Sequence, residues 1–446
     1  MNFQRFTLLL IAMMASFINL YAEETNDKTH QIQTISFDVE GITSEKALLG
    51  YIDIKVNQEF KTEKSIREAA EREQQRLVNY RVFKDVQLLL TKDSEDDTTI
   101  YWNIQYAVVD SWTLIPIPYP NYNSNTGFRF GLKTYYDNAF GTMTNAFLGM
   151  SLDIRRNEKT RKVEIGEWAV TPAWSGIRIG PLDFRASITQ QFSEEEFNDE
   201  ETPEDSYNYS YYQTVLSFGS SIDLPGEWYY SFTPTFSMRY GYNDVLGNGN
   251  FRMEPFNFAW SHSGGWSLVD WTGNFRKGIS TSLGHTLRYI YDPSQSKNIL
   301  VNDISASASY YLPFFSIFNY YTHFSAFATF NDRRSGVGSS LRGIADDSMS
   351  GQYGMVLNNS LAIQFWRWEG VWDAQAHPFF DIGFAVPESG FLASRDIRYS
   401  AGIDFVLYLD ALPSLVARGS IGVDLTRHAW SDFAKYEIDI SSSLSY

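Results

Sequence analysis

The last fifty residues alternate between apolar and polar side chains with a period of two, and that pattern narrows the fold more than any other feature. From Ala401 to Leu409 every second position is apolar (Ala401, Ile403, Phe405, Leu407, Leu409), and Asp404 and Asp410 fall on the opposite face. Leu415, Ala417, Gly419, Ile421, Val423 and Leu425 repeat it, with Arg418 and Asp424 opposite. The closing segment sets Tyr436, Ile438, Ile440, Leu444 and Tyr446 against Glu437, Asp439, Ser441, Ser443 and Ser445. Successive side chains of a strand point to opposite faces, so these are half-buried strands. Strands of about ten residues, apolar on one face and closing on an aromatic, fit a transmembrane β-barrel with lipid outside and a wet lumen inside. A large soluble β-sandwich alternates in the same way, and this segment alone leaves it open.

The first residues speak of export. One positive charge in Met1–Arg5, a mainly apolar stretch over residues 6–20 and the small Ala22 make residues 1–22 a secretory signal peptide. Leu20 is larger than a cleavage site prefers, so the segment is better defined than its cut. The chain has no Cys, which excludes disulfides and lipid attachment through Cys. Past residue 22 no run reaches the roughly 18–20 apolar residues of a membrane helix. Any crossing must be made by strands. Aromatic residues form 16% of the chain (28 Tyr, 33 Phe, 12 Trp), enough for girdles at two interfaces. A net charge of −17 argues against a nucleic-acid partner. It suits solubility, or cation-bridged contact with anionic lipid headgroups.

Residues 32–110 read differently, as a small α+β domain. Ile32, Ile35 and Phe37 lead a strand into Glu40-Gly41, and residues 44–51 form a short helix. Thr62 can cap a longer helix ending near Tyr80, with Ile66, Ala69, Ala70, Leu77 and Val78 as its apolar stripe. Val86, Leu88 and Leu90 then alternate, and a polar hairpin over residues 93–98 leads to a strand at residues 100–109. The order is β-α-α-β-β.

That order resembles a POTRA domain, the polypeptide-transport-associated module of outer-membrane assembly proteins. Phe83, Asp85 and Val86 match the module's aromatic-x-Asp-Val entry into a strand, while Arg81 stands where that family often has Gly. The resemblance implies capture of extended polypeptide by strand addition. A plain α+β spacer without a binding role is the alternative.

Residues 112–446 hold about sixteen candidate strands, an even number, near 112–119, 128–136, 143–153, 161–172, 181–193, 208–224, 229–241, 254–270, 279–291, 299–313, 320–331, 353–366, 375–387, 397–409, 415–427 and 434–446. The longest and most charged connections, residues 194–207 and 331–352, follow odd strands; those after even strands are mostly shorter. This parity places short turns and both termini on the periplasmic side. The acidic run Glu194, Glu195, Glu196, Asp199, Glu200, Glu201, Glu204 and Asp205 lacks the fixed spacing of a calcium loop and reads as a solvated outer loop.

Arg342-Gly343 lies in the long loop after the eleventh strand, and two strands later comes Phe379-Phe380-Asp381-Ile382-Gly383. Together they resemble the outer-membrane protein assembly superfamily of the BamA and TamA type, also called the bacterial surface antigen family. In that family an Arg-Gly in the sixth outer loop folds back into the lumen, and its Arg meets an inward Asp of a Phe-x-Asp-x-Gly strand. Parity agrees: with Ala376, Pro378, Phe380, Ile382 and Phe384 outward, His377, Phe379, Asp381 and Gly383 turn inward. Asn138-Ala139-Phe140-Gly141-Thr142 and Asn274-Phe275-Arg276-Lys277-Gly278 resemble periplasmic turns of the same family. Two departures stand out. Ala362 takes an inward position where the family often has an acid, which leaves Asp381 as Arg342's one expected partner, and Ile344 replaces the usual aromatic. A simple surface contact by Arg342 is the alternative.

The six His are scattered, no hydrolase or zinc motif is present, and His262-Ser263 is a weak hint of catalysis, so no enzyme, metal or cofactor is expected. The resemblance implies an outer-membrane assembly or insertion factor, or a polypeptide translocation pore. It would act by strand templating at a weak seam between the first and last strands. Pro116, Pro118 and Pro120 in the first strand, which cannot donate ladder bonds, agree with that. Ile440, Leu444 and Tyr446 would form a terminal recognition strand. Expected partners are membrane lipids, unfolded outer-membrane or secreted polypeptides, and periplasmic accessory proteins. A dedicated pore for one passenger, and a passive porin or surface adhesin, remain as alternatives.

Overall fold

The computed structural model describes residues 28–123, 127–156, 163–197, 207–246, 254–293, 297–332, 334, 336–345, 348–386, 397–428 and 436–444. The signal segment, residues 198–205 of the acidic loop and Tyr446 lie outside these. The chain divides into two compact units.

The first unit comprises residues up to Asp38, Ile52–Arg76 and Val86–Ala107. Its sheet runs β2-β1-β4-β3, from β1 (Thr29–Glu40), β2 (Glu59–Phe60), β3 (Phe83–Glu95) and β4 (Thr99–Asp110). Between β1 and β3 lie α1 (Glu45–Tyr51) and α2 (Glu63–Asn79). The two-residue β2, absent from the sequence reading, pairs with His30 and Gln31 and is too short for any periodicity to register. Thr62 starts α2, its Oγ1 accepting the Ser65 N–H at 3.1 Å. Ile66 and Ala70 bury one face of that helix, and Tyr106 donates its hydroxyl to the Ala70 carbonyl at 3.1 Å. Glu73 lies on the same buried face, where burial pushes its carboxyl pKa up against the pull of Arg76.

The second unit comprises Val39–Tyr51, Leu77–Asp85 and everything from Val108 onward. Sixteen strands, β5 (Leu114–Asn123) to β20 (Glu437–Leu444), each pair with the next, and β20 pairs back onto β5. Closure removes the sandwich alternative. Every strand falls where alternation places one, with ends shifted by several residues: the fourth barrel strand, read as 161–172, is β8 (Val163–Ile179).

Side chains sort as parity requires. Along β17 (Trp372–Val386), Asp373, Gln375, Phe379 and Asp381 are buried while Phe380 is exposed; along β18 (Ile397–Leu409), Arg398, Ser400 and Asp404 are buried while Phe405 is exposed. Exposed Leu283, Ile188, Phe218 and Trp260 continue the outward apolar face. Removing each such side chain from water is worth about 1.5–3 kcal/mol, so this surface suits an apolar surround. At one end of the barrel strands join through turns as short as Gly180-Pro181 and Gly273-Asn274; at the other lies the 331–352 connection.

The inner wall is polar all round. From β8 to β15 (Phe318–Phe330) hydroxyls pair across neighbouring strands, Thr171 with Thr189 (2.9 Å), Ser217 with Thr235 (3.1 Å), Ser231 with Ser263 (2.6 Å) and Ser282 with Ser307 (2.7 Å), and charged pairs stand among them, Arg288 with Asp303 (3.8 Å) and Arg239 with Glu254 (3.9 Å). From β16 (Tyr353–Trp368) through β17 and β18 to β19 (Leu412–Asp424) the inward groups include Asp381, Asp404, Arg398 and Asp424.

Candidate functional site: a lumenal arginine clamp and a thin seam

The 331–352 connection carries its own small core. Val337, Leu341, Ile344 and Met349 bury against Val356 of β16, with Phe327 of β15 and Ala385 of β17 packed on them. Ile344, standing where an aromatic is usual in the resembling family, is thus part of the loop's apolar anchor. Gly343 has φ +79°, and a Cβ there would sit 2.5 Å from the backbone of Gly422 and Val423 on β19. Only Gly fits so tight an approach in that conformation.

Arg342 is carried between these anchors. Its Nε donates to Asp381 Oδ2 at 2.9 Å and its Nη2 to Asp381 Oδ1 at 2.6 Å, a bidentate fork. Nη1 donates to Asp404 Oδ2 and to Ser360 Oγ, both at 2.9 Å. The guanidinium also lies 4.0 Å over the Phe379 ring. Both carboxylates are essentially inaccessible, at 0% and 1% exposure, so water cannot replace a lost partner. Asp404 further accepts Ser420 Oγ at 2.7 Å and has Arg418 at 4.0 Å.

The support expected to be missing is therefore supplied from another strand. Ala362 does face inward on β16, but Ser360 one step along the same face and Asp404 on β18 complete the clamp. Sequence reasoning placed Asp404 on the inner face and assigned it no partner. The usable signal was an inward acid one strand beyond Asp381.

Arg81 has φ +58°, the left-handed region that Gly prefers. Its guanidinium stacks 4.1 Å over Trp271 of β12 (Phe256–Thr272) and donates to the Gly273 carbonyl at 3.2 Å and to Asn274 at 3.3 Å. Side-chain contacts thus hold a backbone shape that Gly would take without strain. Phe83 and Val86 are buried at the start of β3, and Asp85 is on its exposed side. The turn at residues 138–142 receives the Ser44 N–H on the Gly141 carbonyl at 2.9 Å. Asn138 Nδ2 donates to Thr43 Oγ1 in the same place.

At the seam, the register pairs between β20 and β5 among the described residues are Asp439 with Asn123 and Ile440 with Tyr122. Every other barrel interface has eight or more, including eight between β19 and β20 and ten between β5 and β6 (Gly127–Tyr136). Leu444 pairs with Leu415 on β19. His262 meets Tyr230 at 2.6 Å while Ser263 bonds Ser231, so the two neighbours point to opposite faces and form no dyad. No group of metal-ligating side chains occurs among the described residues.

A closed sixteen-strand barrel following a small α+β unit is the fold of outer-membrane assembly and secretion barrels. No protein-family model matches the sequence, and no curated protein matches it. Solved structures do. CdiB from Acinetobacter baumannii aligns with TM-score 0.61 at 14% identity, over 93% of this chain and 74% of that one. CdiB from Escherichia coli aligns with TM-score 0.51 at 12% identity, over 96% and 92%. BamA from Haemophilus ducreyi lacking POTRA domains 1–3 aligns with TM-score 0.50 at 14% identity, over 93% and 84%. At these identities the likeness is one of fold.

Proposed function

We propose that this chain is an outer-membrane protein that inserts or translocates polypeptide clients by pairing their strands at the barrel seam. Residues 32–110 would form its POTRA-like periplasmic domain and residues 112–446 its membrane barrel. The observation that carries this reading is the β20–β5 interface, with two register pairs among the described residues where its neighbours have eight and ten. At about 0.5–1.5 kcal/mol per net hydrogen bond, such an interface opens far more readily than any other in the barrel. Unpaired main-chain groups at an opened edge attract another strand with little demand on its sequence. The Arg342–Asp381–Asp404 clamp would hold the long loop in the lumen while the seam works. No covalent step is needed.

Depletion of the protein followed by quantitation of outer-membrane proteins tests this. Broad loss of barrel proteins marks general assembly, and loss of one exported passenger marks a dedicated pore. An unchanged proteome with steady, client-independent ion conductance would replace both with a passive porin.

A further inference from the structure

The three prolines of β5 do more than thin the seam, because they all fall on one edge of the strand. Residues of an antiparallel strand direct their N–H and C=O alternately to the two neighbours. The β5–β6 ladder is unbroken across ten pairs, with Pro116, Pro118 and Pro120 opposite Thr134, Leu132 and Phe130. A proline cannot donate, so that ladder is held by the odd residues, and the even residues face away from β6, toward β20. The first even residue after the prolines is Tyr122, and that is where the pairing with Ile440 occurs. Pairing at the seam therefore begins where β5 first has a donor to offer.

Continuing the same register sets Ser442 and Leu444 of β20 opposite Pro120 and Pro118. Their own N–H and C=O groups point to β5, because β19 is served by the alternate residues. At each of these pairs at most one of two ladder bonds can form. From Pro116 to Pro120 the β5 edge offers acceptors alone, whereas the β20 edge keeps both donors and acceptors.

We infer that the seam is one-sided: an extended client strand pairs with β20, antiparallel to it, and β5 serves as a wall that neither zips shut nor templates. This rests on the seam reading proposed above and names the edge that acts.

The chain lacks Cys, so single-cysteine trapping has no background. Ser443→Cys probes the β20 edge and Tyr119→Cys the β5 edge. Both lie at the non-hydrogen-bonded positions of the seam register, where Cα atoms come close enough for a disulfide. The full-length variants are placed in phosphatidylethanolamine–phosphatidylglycerol vesicles under mild oxidation. The first receives a synthetic peptide of residues 114–123 with the prolines replaced by threonine and cysteine at the Tyr119 position. The second receives a peptide of residues 436–446 with cysteine at the Ser443 position. Capture at Ser443→Cys at least tenfold above Tyr119→Cys is expected. Equal capture, or capture favouring β5, overturns the one-sided seam while leaving seam templating standing. Capture at neither edge sinks templating and this inference together. Separately, Pro116→Thr/Pro118→Thr/Pro120→Thr in the full chain is expected to zip the seam. It should raise Tyr119→Cys/Ser443→Cys self-crosslinking severalfold and abolish peptide capture at β20. Unchanged self-crosslinking would show that the prolines are not what holds the seam open.

Discussion

Removing Arg342 should do more damage than removing either carboxylate it holds, and the geometry sets how much. Arg342→Ala strands two inaccessible carboxylates. Asp381 keeps the Arg342 and Asn359 N–H groups at 3.2 and 3.3 Å, and Asp404 keeps Ser420 and the more distant Arg418. Breaking a buried ion pair from one side costs about 3–5 kcal/mol, and two uncompensated charges put this variant at the upper end. Asp381→Asn preserves shape and one acceptor but loses the fork, for about 2–3 kcal/mol. Asp404→Asn costs less, about 1–2 kcal/mol, because Arg342 retains Asp381. Arg342→Lys is no rescue, since an ammonium cannot span three acceptors in the plane of the fork. The assay is a double-mutant cycle on unfolding of the purified barrel in detergent, read beside maleimide labelling of Val337→Cys, a position buried in the loop's own core, as a report on loop release. Arg342→Ala/Asp381→Asn should fall short of the sum by about 2 kcal/mol. Additivity within about 0.5 kcal/mol, or loop labelling unchanged by Arg342→Ala, would refute the clamp.

Three further outcomes are expected. Gly343→Ala drives a methyl into the Gly422–Val423 backbone at a left-handed φ, so the same loop-labelling assay should show release even with Arg342 intact; protected label would disprove it. Glu73 has a carboxyl pKa raised above 4.5 by burial, so its stabilising effect is full below that value and is lost as pH rises through the raised one. Hydrogen exchange over α2 should accelerate, after correction for intrinsic rates, across that rise, and Glu73→Gln should slow it at neutral pH; exchange that is flat with pH in the native chain would contradict this. On intact cells, protease or antibody should reach residues 194–205 but neither Lys84 nor Leu412, and surface labelling at Lys84 would invert the proposed orientation.

Alternation made the barrel legible because an apolar outer face and a polar inner face impose opposite chemistry on successive residues, as at Phe380 and Asp381. The same parity put Asp381 on the inner wall. It could not assign Asp404, since a strand's face is local information while the partner of a guanidinium depends on register and on how far a loop folds inward. Helical periodicity marked Ile66, Ala70 and Leu77 correctly as buried, but Val78 is exposed and Glu73 is buried on the stripe's line. Both sit where neighbouring elements, rather than the helix itself, decide what is covered. Arg81 escaped notice as anything beyond a departure from Gly, because the stacking on Trp271 that holds its backbone is 190 residues away in sequence.

The hydroxyl pairs between β8 and β15 bear on how smoothly anything could slide along that side of the lumen. A serine or threonine hydroxyl rotates freely and can donate or accept, so each pair can swap its internal bond for one to a passing backbone amide. The exchange is nearly even in free energy, with each net bond worth about 0.5–1.5 kcal/mol, not far above thermal energy. Where hydroxyls alone line the wall the potential is shallow and repetitive, and the charged pairs between them, Arg288 with Asp303 and Arg239 with Glu254, are the stickier points. The buried Arg342 clamp, by contrast, holds its own loop fixed. Low friction over the hydroxyl patches and static grip at the clamp can therefore coexist within a single barrel.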